Sequence, residues 1–132
     1  MKYKQIDHPA DIKVRVFGKT KKEIFLNALK ALNDILEPEI EEKQTQEEIE
    51  LESTSIENLL IEFLNEALYF TETKKEIYQD IDFKEFNDEK IKATLYGQAA
   101  KEFKQEIKAA TYHELEFKKQ DDQYQTTILF DI

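Results

Sequence analysis

The 132-residue chain carries 19 Lys and Arg against 29 Asp and Glu, a formal charge of −10 at neutral pH, and its 40% hydrophobic content with 15 aromatic residues argues against global disorder. Surface scaling gives about 7,300 Å² folded against about 22,800 Å² extended, so roughly two thirds of the surface can be buried in one domain without staples. With no cysteine, a disulfide framework, a thiolate metal site and a cysteine nucleophile are excluded; with no apolar run after Met1-Lys2-Tyr3-Lys4 and none approaching a membrane span, a cytoplasmic address is expected and no membrane partner.

Only two glycines and two prolines punctuate the chain, and each can be read individually. From Asp11 to Phe17, Ile12, Val14 and Val16 alternate with Asp11, Lys13 and Arg15, the period of a half-buried strand ending at Gly18, with Tyr3 to Ile6 as its pairing partner. Thr20 to Glu23 forms a capping box, and Ile24, Phe25, Ala28, Leu29, Leu32, Ile35 and Leu36 repeat at helical spacing until Pro38. Glu39 to Glu48 reads as a polar, solvated connection into a strand carrying Ile49 and Leu51. A second capping box, Thr54 to Glu57, precedes the broad stripe Ile56, Leu59, Leu60, Phe63, Leu64, Ala67 and Leu68, the expected central helix, running to about Thr71.

Ile77 to Phe83 and Ile91 to Tyr96 read as strands joined around Asn87-Asp88, the second ending at Gly97. Ala99 to Gln105 is either a short helical turn or an exposed loop. Leu115 and Phe117 then alternate with Glu116 and Lys118, Asp121-Asp122-Gln123 turns the chain, and Tyr124, Thr126, Ile128 and Phe130 mark the buried side of a last strand. The expected fold is α+β, a single domain over residues 1–132 with two main helices packed on a largely antiparallel β-sheet system.

Two glycines cannot supply a phosphate-cradling loop, and no nucleophile elbow, His-Glu-x-x-His pair or acidic EF-hand loop occurs. His8 and His113 lie so far apart in sequence that a two-histidine metal site would need long-range contact, and a lone histidine is more often structural. Parity is more informative. Asp11 shares the polar strand face with Lys13 and Arg15, and Asp131 shares that of the last strand with Gln125 and Thr127. If those strands are neighbours the two carboxylates converge, and at about 4 Å with an effective dielectric near 20 their repulsion is roughly 4 kcal/mol. Such a pair demands a proton or a cation. Oxygen ligands without sulfur favour a hard divalent ion, with the terminal carboxylate and the Asp131 and Ile132 backbone oxygens as further donors. The plainer alternative is that each aspartate only caps or solvates a strand end. Lys108 is the one charged group in Ile107-Lys-Ala-Ala-Thr-Tyr-His113, placed either to meet an acidic cluster or a partner, or simply solvated.

Two segments carry a resemblance to a known family. Asp7-His8-Pro9-Ala10-Asp11-Ile12, followed by Gly18 and the helix start Lys22-Glu-Ile-Phe25, is similar to the His-Thr-Ala-Asp-Ile-like segment of archeases. Ile107-Lys-Ala-Ala-Thr-Tyr-His113 with the closing Leu129-Phe-Asp131-Ile132 resembles that family's Lys-Ala-x-Thr-Tyr-His segment and final Asp-Ile. The resemblance spans nearly the whole chain. It implies a non-catalytic activator of an RNA-splicing ligase, promoting guanylylation and multiple turnover in tRNA splicing. It also implies a divalent-metal site of Asp11, Asp131 and Ile132, with calcium the expected ion and magnesium or manganese the alternatives, and a functional Lys108. His8 and His113 belong to the motifs with roles less defined. Pro9 stands where threonine is common, and Gln98 where the family often has glutamate, for which nearby Glu102 is a candidate substitute.

The charge of −10 fits a basic ligase surface and opposes strong direct nucleic-acid binding; a monomer is expected. Two other classes remain: a metal-dependent phosphoester hydrolase or nuclease, since paired carboxylates also hold catalytic ions, and a chaperone-like protein-binding module, suggested by the broad helix stripes.

Overall fold

The computed structural model describes residues 1–7, 11–111 and 117–132. In chain order the elements are β1 (Tyr3–Asp7), β2 (Asp11–Gly18), α1 (Lys21–Leu36), β3 (Pro38–Glu52), α2 (Ile56–Lys74), β4 (Glu76–Phe86), β5 (Lys90–Phe103), β6 (Ala109–Thr111), β7 (Lys118–Gln120) and β8 (Gln123–Asp131). They form two antiparallel sheets: one of order β1-β2-β8-β6, with β7 also paired to β8, and one of order β3-β5-β4. The expected α+β architecture is what the chain adopts. Its accessible surface of 7480 Å² agrees with the scaling estimate.

The period-two segments bury the residues their alternation selects. Val14 and Val16 of β2 and Ile128 and Phe130 of β8 face the core, and Ile49, Ile91, Ala93 and Leu95 do the same in the second sheet. The helices pack against both sheets: α1 against β2 and β4, α2 against β6, β3 and β4. Phe25 and Phe63 meet between the helices at 5.2 Å, and Phe86 stands edge-on to Phe25 at 5.0 Å. Two buried amides tie α1 to one strand in each sheet. Asn27 Nδ2 donates to the Phe17 carbonyl at 2.7 Å, and Asn33 Nδ2 to the Tyr78 carbonyl at 2.5 Å.

The threonine half of the first capping box forms as expected, Thr20 Oγ1 accepting from the Glu23 amide at 3.1 Å. The second is shifted by one residue. Ser55, extended at φ −157°, is the N-cap and accepts from the Asn58 amide, while Thr54 Oγ1 accepts from Asn58 Nδ2. Both helices end on non-glycine residues in the left-handed region, Glu37 at φ 46° and Lys75 at φ 57°, whose amides return to the Asn33 and Thr71 carbonyls.

Two expectations in the second sheet are corrected. Glu39 to Glu48 is not a connection but the first part of β3, with Pro38 at the strand start where its missing N–H costs no ladder bond. Gly97 does not end a strand; β5 runs through it to Phe103, which also removes the turn or loop expected over Ala99 to Gln105, leaving 104–108 as the connection. Gly97 is required for room, since its φ is not positive and an added Cβ would stand 1.7 Å from the Ile77 carbonyl oxygen.

Gly97→Ala should therefore force β4 away from β5 and destabilise the protein by about 3 kcal/mol in chemical denaturation. Buried Tyr78 gives a pH prediction. Burial and its 2.7 Å hydrogen bond to the Glu76 carboxylate push its phenol well above the ordinary tyrosine range. Below pH about 10 the phenol is protonated whether the chain is folded or not. Above it the unfolded chain loses a proton that the folded chain keeps, so stability falls as pH rises. Denaturation from pH 9 to 11 should show that decline in the native protein and a shallower one in Tyr78→Phe.

Candidate divalent-cation site

Strands β2 and β8 run side by side, and their register sets Asp11 directly opposite Asp131. Both side chains lie on the face turned away from the helices, because Ile12 and Phe130, next to them in sequence, point to the core side. On that face Asp11 is followed by Lys13 and Arg15, and Asp131 is preceded by Leu129 and Thr127. Directly opposed residues in an antiparallel pair have Cβ atoms about 5 Å apart, so both acidic side chains are carried at the same end of the sheet, and like charges so opposed are in general unfavourable.

Strand β6 completes this end from the other side of β8. Ala109 is the partner of Asp131, and the Lys108 amide donates to the Asp131 carbonyl at 2.7 Å. The Lys108 side chain is exposed, while Ile107 before it is completely buried, so the lysine is presented from a segment anchored in the core. Ile132 is 37% exposed and follows Asp131 out of the strand. Thus Asp11, Asp131, Ile132 and Lys108 come together. His8 and His113 lie outside the described residues, as do Pro9 and the segment carrying Leu115 and Glu116. Glu102 is not a substitute at this end: it is exposed in the second sheet, paired with Glu39, and Gln98 is likewise on β5.

Among the described residues no group of three or more His, Asp or Glu side chains is gathered for a metal. The donors present are two carboxylates and neighbouring backbone oxygens, one lone pair of the Asp131 carbonyl being taken by Lys108. This fits a hard cation that keeps part of its water shell, and not a closed cage or a sulfur- or nitrogen-seeking metal.

One functional candidate was not apparent in the sequence. Asn65, within the apolar stripe of α2, bonds the backbone of Ala110 in β6 through both ends of its side-chain amide. The signal was a short polar residue directly after buried Leu64, where the helical period alone offers no explanation.

The strand order, the opposed aspartates and the edge strand β6 that follows Lys108 define a class of small α+β proteins with two aspartates at one end of a half-buried sheet face. The family model of the archease protein family matches residues 3–132, and the chain belongs to that family. It is 34% identical to the protein archease of Methanosarcina barkeri over 98% of this chain and 95% of that one, and 32% identical to that of Pyrococcus abyssi over 92% and 91%. The crystal structure of an archease from Thermotoga maritima, titled a possible chaperone, superposes with a TM-score of 0.74 at 25% identity, covering 98% of this chain and 96% of that one. No helix among the described residues is long and apolar enough to cross a membrane.

The facing carboxylates can be tested without a partner. In a chelator-treated sample, Asp131→Asn should raise stability to chemical denaturation by about 0.5 kcal/mol by removing one of two opposed like charges. A loss of stability would show that the opposed pair is not a source of strain.

Proposed function

We propose that this protein is a non-catalytic accessory factor that activates an RNA-splicing ligase, and that its end bearing Asp11, Asp131 and Lys108 is the working surface. The observation that carries this reading is the direct pairing of Asp11 with Asp131, since the two aspartates at which the resemblance implies a metal are the ones that β2 and β8 oppose. When bound there, a divalent cation, calcium first and magnesium or manganese as alternatives, would neutralise the two carboxylates and turn an acidic end into one that tolerates phosphate oxygens. Asp11 and Asp131 would hold it, with the Ile132 backbone as a further donor. Lys108 would offer a cation of its own to the partner or to a nucleotide phosphate.

Association would be steered by charge. A body of net charge −10 is attracted to the basic surface on which a ligase receives RNA, and the attraction weakens with added salt. The gain for the ligase would come from arranging its nucleophile and nucleotide phosphates, a matter of positioning and charge stabilisation. A general client-holding role is less well supported. The large apolar side chains left exposed include Ile40 on β3, Tyr69 on α2 and Tyr96 on β5, which are distributed over three elements.

The test is to measure guanylylation of the ligase from the same organism, and repeated RNA joining, with the native chain, Asp131→Ala and Lys108→Ala. The native chain should stimulate both activities, more strongly at low salt, and each folded variant should lose about tenfold in repeated joining. Full stimulation by both variants, or none by the native chain, would sink the reading; RNA cleavage by the protein alone, abolished in Asp131→Ala, would establish a nuclease instead.

A further inference from the structure

The segment presenting Lys108 lies at an open sheet edge. Among the described residues β6 is paired with β8 on one side only. The N–H and C=O of Ala110 are directed to the other side, where a further strand would otherwise be needed to satisfy them. A single side chain meets both. Asn65 Oδ1 accepts from the Ala110 N–H at 2.8 Å, and Asn65 Nδ2 donates to the Ala110 carbonyl at 3.0 Å. Both bonds have ordinary lengths, and together they reproduce the paired donor and acceptor of a neighbouring strand. The other helix asparagines that reach strands, Asn27 and Asn33, each donate one bond. Holding a backbone unit by both groups at once fixes its orientation as well as its distance, which one bond does not.

What lies on each side of this clamp gives it a role. On one side Asn65 stands on α2 between Leu64 and Ala67, both completely buried in the core. On the other, Ala110 pairs with Phe130, Ala109 with Asp131, and the Lys108 amide donates to the Asp131 carbonyl at 2.7 Å. An unbroken path of backbone and hydrogen bonds therefore runs from α2 through β6 to Asp131, which stands opposite Asp11. We infer that Asn65 is a positioning residue: its clamp on Ala110 sets the placement of β6, and through it the placement of Lys108 and Asp131 relative to Asp11. The importance of that placement rests on the cation and partner role proposed above; the clamp itself does not.

The experiment compares the native chain with Asn65→Ala and Asn65→Asp by calorimetric titration with Ca²⁺ and by amide hydrogen exchange. Asn65→Asp keeps the acceptor for the Ala110 N–H and loses the donor to its carbonyl, so it should fall between the other two and serves if Asn65→Ala does not fold. Asn65→Ala should bind Ca²⁺ about tenfold more weakly, as expected when the support behind a ligand is removed. It should also exchange the Ala110 and Lys108 amides at least tenfold faster, with the Phe63 and Leu95 amides unchanged. A uniform acceleration across the molecule would make Asn65 merely structural and overturn the inference, as would Ca²⁺ affinity and Lys108 exchange that stay native in both variants. If the native chain takes up no Ca²⁺, the cation reading fails, and selective Lys108 exchange still decides for or against the clamp. If the native chain binds Ca²⁺ and loses it in Asp131→Ala but not in Asn65→Ala, the cation reading stands and the positioning role falls.

Discussion

The pairing of β2 with β8 is the constraint on which the rest depends. It joins segments some 120 residues apart, closes the first sheet, and fixes in one register both the core face of Val14, Val16, Ile128 and Phe130 and the opposing face of Asp11 and Asp131. Stability and the candidate site therefore share one ladder. A slip by a single residue would turn the carboxylates toward the core and the valines toward water, so the hydrophobic requirement enforces the geometry of the charged pair.

The helices reinforce that ladder by polar means as well as by burial. Asn27 binds the Phe17 carbonyl where β2 ends, Asn33 the Tyr78 carbonyl in the second sheet, and Asn65 both backbone groups of Ala110. An asparagine on a buried helix face loses hydration that only a strand's unpaired groups can return, and so it selects one placement of sheet against helix. Apolar packing alone tolerates sliding more readily.

Much of this arrangement could be read from residue order. Alternation in Asp11 to Phe17 and in Tyr124 to Asp131 assigned both strands and the polar side of each aspartate, and the helical repeats located the two core helices. The failures have specific causes. Residues 39–48 are polar on nearly every position because β3 is an edge strand facing water, so no alternation announced it. Gly97 looked like an ending because glycine usually is one, whereas here β4 approaches too closely for any side chain. At the helix start, Thr54 and Ser55 are both competent caps and adjacent, so the motif could not choose between them. The opposition of Asp11 and Asp131 was foreseeable only as a conditional, because strand adjacency is a long-range property. The hydrogen bonds of Asn65 and of the Lys108 amide were not foreseeable at all, since they depend on where an edge strand is left open.

The position of β8 inside its sheet, between β2 and β6, has a consequence for a chain emerging from the ribosome. Residues 21–103 contain both helices and the whole of the second sheet, and all of them are made before residues 123–131. The hairpin of β1 and β2 must wait with one flank bare until its last neighbour arrives, a long-range closure of the kind that slows folding. A polypeptide that has not yet reached β8 therefore holds Asp11 without the residue that the ladder sets opposite it.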